Sequence, residues 1–147
     1  MPTLLVVHHT PSPALQAVLE AVREGVAMAA EEVDGLELVV RPALSAGPAD
    51  LLAADGVLLG TPANIGYMSG ALKHFFDTVY YPCLDATVGL PYGVYVHGND
   101  DTAGALTAIA RITGALRWKQ VAAPLSLTGR ADLGAVRELA ATVAVSL

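Results

Sequence analysis

The sequence predicts an α/β fold, a three-layer doubly wound sandwich in which helices cover both faces of a five-stranded parallel sheet. Short, continuously apolar runs alternate along the chain with longer segments in which apolar residues follow helical spacing. Strands that are apolar on both faces and separated by helices are typical of parallel sheets built from βαβ units. Five such units in 147 residues fit a single domain, residues 1–147, with strand order 2-1-3-4-5.

The first strand is expected at residues 4–7, where leucine and valine follow one another without a polar interruption. The helix after it begins with Ser12 in the N-cap position and Pro13 at the first helical position, where a missing N–H costs least. We expect Pro62 to end the third strand and Pro82 to lie in a loop after the third helix. The remaining strands are expected at 36–40, 57–59, 92–96 and 121–127, and the remaining helices at 51–54, 69–80, 102–116 and from about 132 onward.

Composition argues against several classes of function. The formal net charge is −6 and only 8 residues are lysine or arginine, whereas proteins that bind nucleic acid cluster basic residues. Although 54% of the residues are hydrophobic, no uninterrupted apolar stretch approaches the ~20 residues of a membrane span. The N-terminus lacks the basic segment of a secretory signal, and the single cysteine, Cys83, cannot form an internal disulfide. We therefore expect a soluble cytoplasmic protein that binds neither nucleic acid nor membrane.

The loops that follow strands 1, 3 and 4 carry the residues suited to a binding site. In the predicted strand order these three strands lie side by side, and ligands of such sheets bind beyond the carboxyl ends of the strands. The three loops are rich in glycine, small polar and turn-forming residues, and they read HHTPSPAL, GTPANIGYMSG and HGNDDTAG. The sequence therefore predicts one ligand site at this edge of the sheet.

The segment GTPANIGYMSGALKHFFDTVY, residues 60–80, resembles the second loop and following helix of the flavodoxin-like FMN proteins. The similarity is strongest to their flavin reductase and quinone reductase branch, and the matching positions are Gly60, Pro62, Gly66, Met68, Leu72, Lys73, Phe75 and Asp77. The resemblance implies an FMN cofactor, with NAD(P)H as co-substrate and a quinone, a flavin or a similar small molecule as electron acceptor. The side chains of Lys73 and Asp77 are expected to stabilise the helix rather than contact the ligand.

Carried over position by position, the resemblance assigns FMN contacts to all three loops. The first loop would wrap the phosphate with hydroxyls and with the N–H groups of the first helical turn, and the other two would hold the ring. The residues implied are Thr10, Ser12, Ala14 and Leu15 for the phosphate, Pro62, Ala63, Asn64, Ile65 and Gly66 for the ring, and His97, Gly98 and Asn99 for its other edge.

The first loop departs from the family pattern at its prolines. Pro13 stands where the family usually has glycine, and Pro11 also lacks an N–H, so two backbone donors are missing. We expect either a weaker phosphate site or a cradle rebuilt from side chains. Two structural alternatives stay open, namely that Ser12 only caps the helix and that the second loop is an ordinary strand-to-helix connection.

The histidines and the cysteine do not form a recognisable catalytic or metal motif. His8 and His9 are adjacent at a strand end, so their side chains point to opposite faces and cannot easily share a metal ion. One is expected to pack or hydrogen-bond within the sheet and the other to border the pocket, with His97 on the same rim. Cys83 and Trp118 are expected to be packing residues. We predict no metal site and assign no catalytic side chain.

Three functions are compatible with these features. The first is an FMN-dependent oxidoreductase, in which the flavin carries the chemistry and the protein supplies orientation and electrostatics. The second is a flavodoxin-type electron carrier that serves a redox partner protein, which the small size and acidic charge favour. The third is a flavodoxin-like domain that has lost tight FMN binding, which the two prolines keep open. A homodimer is compatible with the first.

Overall fold

The predicted α/β architecture is confirmed in a computed structural model that describes residues 1–147. The strands are β1 (Thr3–His8), β2 (Glu37–Pro42), β3 (Gly56–Asn64), β4 (Tyr67–Met68), β5 (Pro91–Gly98), β6 (Lys119–Gln120) and β7 (Leu125–Thr128). The helices are α1 (Pro13–Ala30), α2 (Pro48–Leu52), α3 (Gly70–Cys83), α4 (Ala103–Ala115) and α5 (Leu133–Val145). The parallel sheet has the order β2-β1-β3-β5-β6, and β7 also pairs with β5. This is the predicted order, with the fifth strand split into β6 and β7 and with a short antiparallel strand, β4, added beside β3.

Side chains alternate between two apolar layers along each central strand. In β1, Leu5 and Val7 contact the layer that α2, α3 and α4 cover, while Leu4 and Val6 contact the layer under α1 and α5. All four side chains are fully buried. Because both faces of the strand are covered, its sequence is continuously apolar, which is the pattern expected of a parallel strand.

Several predicted boundaries were wrong, and three of them involve proline. Helix α2, expected at residues 51–54, is Pro48–Leu52, because proline is tolerated in the first helical turn. β3 does not end at Pro62 but continues to Asn64. The amide of His9 donates to Gly60 O, so the backbone polar groups of Gly60 point toward β1. Those of Pro62, two residues later, point to the same side. Since β1 ends at His8, opposite Gly60, the missing N–H of Pro62 removes no hydrogen bond of the sheet. Helix α3 likewise runs past Pro82 to Cys83, because this proline falls in the last turn, at the exposed surface.

The packing roles predicted for Trp118 and Cys83 are confirmed. The indole Nε1 of Trp118 donates to Thr87 Oγ1 at 2.9 Å, and its ring packs against Phe76 and Tyr92. Cys83 is fully buried, and this burial raises the pKa of its thiol. Neither residue lies in the three loops at the carboxyl edge. None of the five helices combines the length and the apolar character that a membrane crossing requires.

Candidate functional site

The carboxyl ends of β1, β3 and β5 lie side by side at one edge of the sheet. In the strand register His8 is opposite Gly60, and Pro62 is opposite His97. The segments that follow are named here loop 1 (residues 9–12), loop 2 (residues 61–69) and loop 3 (residues 99–102). The structure thus brings together at one edge all three groups of residues that the sequence selected.

Loop 1 leads into α1 through a side-chain cap. Ser12 is the N-cap residue, and its Oγ accepts a hydrogen bond from the amide of Leu15 at 3.2 Å. Ser12 therefore caps the helix, as the sequence predicted. The N–H of Leu15, which the family pattern offers to a phosphate, is already engaged within the helix, and its side chain is buried in the core.

Loop 1 still presents several unused donors. The amides of Thr10, Ser12 and Ala14 donate to no protein acceptor. They lie at the N-terminal end of an 18-residue helix whose first turn contains no acidic residue. Free N–H groups and the helix dipole both favour an anion at such a position. This donor set fits the phosphate group of FMN, although the prolines at 11 and 13 contribute no N–H.

The two adjacent histidines have different surroundings. His8 is only 9% exposed, and its Nδ1 lies 2.7 Å from Thr10 Oγ1. Burial, assisted by the charges of Arg23 and His9, lowers the pKa of His8 below its usual value. His9 borders a cavity of about 220 Å³ together with Thr10 and the chain after β2, and its own Nδ1 is buried without a partner. No group of three or more His, Cys, Asp or Glu side chains is placed to hold a metal ion.

The pKa shift of His8 predicts how stability depends on pH. Because the folded-state pKa lies below the unfolded value of about 6.5, the unfolded chain takes up the proton first as the pH falls. The contribution of His8 is therefore fully present above about pH 6.5 and is lost as the pH falls through the folded-state pKa. We expect the wild-type protein to lose more unfolding free energy between about pH 7.5 and pH 5 than His8→Asn does. Urea unfolding at several pH values checks this, and parallel curves for the two proteins would contradict it.

Loop 2 forms a tight β-hairpin that the sequence analysis did not predict. Ala63 pairs with Met68 and Asn64 with Tyr67, and the turn between them has positive φ at both Ile65 (+50°) and Gly66 (+72°). Two such residues are the signature of a type I′ turn. The usual signal, Asn-Gly or Asp-Gly, is absent because isoleucine occupies the first turn position. A β-branched residue held in this region is strained, and its side chain is fully exposed at the tip.

The base of the hairpin is fixed by a chain of hydrogen bonds. The buried hydroxyl of Thr61 donates to Pro62 O at 2.8 Å and accepts from the amide of Ser69 at 3.0 Å. The hydroxyl of Ser69 in turn caps α3 by accepting from the amide of Leu72 at 3.2 Å. Loop 2 is thereby held from both ends while its tip stays open, and the amides of Ile65 and Gly66 donate to no backbone acceptor.

The hairpin leans against the start of α4. A Cβ atom added at Gly104 would lie 1.9 Å from Gly66 O, so the backbone of the turn rests directly on the helix. Beside this contact lies a groove of about 570 Å³, which Tyr67, Lys73 and Arg111 border. The predicted helix-stabilising pair of Lys73 and Asp77 is present as an ion pair of 2.5 Å, and that hydrogen bond raises the pKa of Lys73.

Loop 3 leaves two of its amides free. It follows the end of β5, where a Cβ atom added at Gly98 would lie 3.2 Å from the Ala63 side chain of loop 2. The amides of Asn99 and Asp100 donate to no protein acceptor, whereas Asp101 Oδ1 accepts from the amide of Ala103 at the start of α4. His97 Nε2 donates to Gly129 O at 2.7 Å and ties the end of β5 to the segment after β7. That contact was not foreseen, since Gly129 is distant in the sequence.

Two curated proteins are similar to part of this chain. No family model matches the chain. The chain is 34% identical over 79 residues to a flavodoxin of Aquifex aeolicus, a match that covers 54% of this chain and 40% of that protein. It is 32% identical over 91 residues to the quinone-oxidoreductase QR2 of Triphysaria versicolor, with coverages of 58% and 43%. The matches thus span less than half the length of these curated relatives.

Solved structures of similar shape cover nearly the whole chain. A flavodoxin from the domain Archaea superposes with a TM-score of 0.81 at 16% identity, covering 98% of this chain and 97% of that one. A WrbA-like flavodoxin from Agrobacterium tumefaciens gives a TM-score of 0.75 at 19% identity, covering 99% and 96%. At these identities the likeness establishes the fold.

Proposed function

We propose that this chain, which has the flavodoxin fold, binds FMN at the carboxyl edge of its sheet. We further propose that it transfers electrons from NAD(P)H to a quinone, a flavin or a similar small acceptor. The observation that carries the proposal is that loops 1, 2 and 3 meet at this edge and all present backbone donors without protein partners. If this edge of the sheet were buried and bound no ligand, these N–H groups would donate to acceptors within the protein.

Each loop suits a different part of the ligand. The free amides of loop 1 and the hydroxyls of Thr10 and Ser12 would hold the phosphate. The exposed turn of loop 2, from Asn64 to Gly66, and the amides of loop 3 would hold the ring, whose pyrimidine edge carries carbonyl acceptors. Leu15 and His97, which the family pattern also assigns, would act through the backbone of α1 and the placement of β5, since the Leu15 N–H and the His97 ring are already engaged.

Bound FMN would supply the electron-transfer chemistry itself, so the protein needs no general acid or base. What the chain would contribute is orientation of the ring and a hydrogen-bonded phosphate anchor. The relatives named flavodoxin and quinone-oxidoreductase support both an electron-transfer role and a quinone acceptor.

The proposal is tested first by titrating purified protein with FMN and following quenching of flavin fluorescence. We expect saturable binding with a Kd of about 1 µM or tighter. The FMN-loaded protein should then oxidise NADH or NADPH in the presence of a benzoquinone, faster than free FMN at the same concentration. The absence of saturable binding would overturn the proposal as a whole.

The same experiment separates the reductase from an electron carrier. A protein that binds FMN but oxidises NAD(P)H no faster than free FMN is a carrier, and the reductase part of the proposal then fails. A carrier requires a redox partner protein, which the net charge of −6 would attract through a basic surface. Measuring the oligomeric state with and without FMN tests the proposed homodimer at the same time.

A further inference from the structure

The side chain of Thr10 is held by a hydrogen bond with the side chain of His8. Thr10 Oγ1 lies 2.7 Å from His8 Nδ1, and no other side chain bonds to this hydroxyl. Loop 1 has lost donors at Pro11, Pro13 and Leu15, as described above. A phosphate at this helix start therefore depends on the hydroxyl groups more than it would in a loop with glycine.

Only one hydrogen can lie between His8 and Thr10, and its origin decides what Thr10 offers to a ligand. If Thr10 donates its hydroxyl hydrogen to Nδ1, only oxygen lone pairs remain for the ligand, and these repel an anion. If Nδ1–H donates to Thr10 Oγ1, the hydroxyl hydrogen is free to point into the site. A phosphate dianion has no hydrogen to donate, so it selects the second arrangement.

We propose that His8 is a positioning residue, which donates from Nδ1 to Thr10 so that the Thr10 hydroxyl becomes a dedicated donor to the phosphate of FMN. This inference rests on the proposed function, because it assigns a role within the same site. It explains how the loop provides a hydroxyl donor where two backbone donors are missing. The neutral Nδ1–H tautomer and the doubly protonated ring both supply the required hydrogen.

The surroundings of His8 suit this role. His8 is 9% exposed and is the last residue of the buried strand β1, so its ring has a fixed position. Thr10 borders the 220 Å³ cavity at the end of β1 and is only partly buried, so its free hydrogen can reach a ligand. Loss of a hydrogen bond to a charged acceptor is expected to weaken binding about 10-fold to 150-fold.

The test compares FMN with riboflavin, which has the same ring but no phosphate. Both dissociation constants are measured by fluorescence quenching for the wild-type protein and for His8→Leu, His8→Asn, Thr10→Val and Thr10→Ser. We expect His8→Leu and Thr10→Val to weaken FMN binding at least about tenfold while riboflavin binding stays unchanged. His8→Asn, whose amide can donate from nearly the position of Nδ1, and Thr10→Ser should retain the preference for FMN. The double variant His8→Leu/Thr10→Val should bind FMN no more weakly than Thr10→Val alone, because His8 acts only through the Thr10 hydroxyl.

Two controls make the outcome decisive. His74→Leu removes an exposed histidine on α3 far from loop 1 in sequence and should leave both constants unchanged. In NMR spectra of the imidazole nitrogens, His8 should carry its proton on Nδ1 in the FMN complex. An unchanged ratio of FMN to riboflavin affinity in either His8→Leu or Thr10→Val overturns the inference and leaves the proposed function standing. A wild-type protein that binds neither ligand overturns both.

Discussion

Replacing Gly104 by alanine is expected to weaken FMN binding at least about tenfold, although alanine is the better helix former. The added Cβ would lie 1.9 Å from Gly66 O, where two non-bonded atoms cannot coexist. Gly104 lies in the first turn of α4 and Gly66 at the tip of loop 2. The backbone fixes the positions of both the added Cβ and the carbonyl oxygen of Gly66, so neither atom can rotate away. The hairpin must therefore move off the helix, and the turn that faces the ring moves with it.

Gly114 provides a matched control in the same helix. A Cβ atom at this position meets nothing within 4 Å, and the residue is exposed. Gly114→Ala should therefore raise the free energy of unfolding by up to about 1 kcal/mol and leave FMN affinity unchanged. Gly104→Ala should be less stable than Gly114→Ala by about 1–3 kcal/mol, a difference that urea unfolding measures even without ligand. Equal stability of the two variants, or unchanged FMN affinity in Gly104→Ala, would contradict the role given to this contact.

The sequence predicted the order of the sheet but not the hairpin of loop 2. The strand–helix alternation was sufficient to predict the sheet order, because buried parallel strands have an apolar pattern that few other elements share. The hairpin could not be predicted, since its turn carries isoleucine at a position where asparagine or aspartate is the usual signal. The contact of Gly66 with Gly104 joins residues 38 positions apart, and such packing is not written in local sequence patterns.

Loop 1 likewise combines one feature that has a local sequence signal with one contact that has none. Sequence spacing was enough to place Ser12 at the cap of α1, since Ser-Pro before an amphipathic pattern has a local cause. The bond between His8 and Thr10 depends on the direction of two side chains after the strand ends, which periodicity does not specify. The histidine pair drew attention because of metal chemistry, yet its first member is placed to orient a hydroxyl group. The sequence alone thus located the candidate site but not its hydrogen bonds.

Gly60→Ala is expected to cost about 3 kcal/mol or more of unfolding free energy, at the upper end of the range for overpacked cores. Gly60 lies in β3 between His8 and Tyr95, and its added Cβ would fall 2.0 Å from Tyr95 Cζ. Tyr95 is fully buried, its phenol oxygen has no hydrogen-bond partner, and burial raises its pKa well above the usual range. The ring therefore already fills the space over Gly60, under the apolar layer of α1 and α5.

A second glycine of the same strand gives the comparison. At Gly56 the added Cβ meets Leu147 Cδ2, the end of a flexible side chain that can rotate away, and would lie 3.2 Å from Pro91 O, a much milder contact than the one at Gly60. Gly56→Ala should therefore cost clearly less than Gly60→Ala in thermal or urea unfolding. Adding Tyr95→Leu, which shortens the ring side chain, should make Gly60→Ala less costly than it is alone, so the two changes are not additive. Two results would contradict steric exclusion by Tyr95 as the reason for glycine at position 60. The first is that Gly60→Ala lowers the free energy of unfolding no more than Gly56→Ala does. The second is that Gly60→Ala lowers it equally in the wild-type and in the Tyr95→Leu protein.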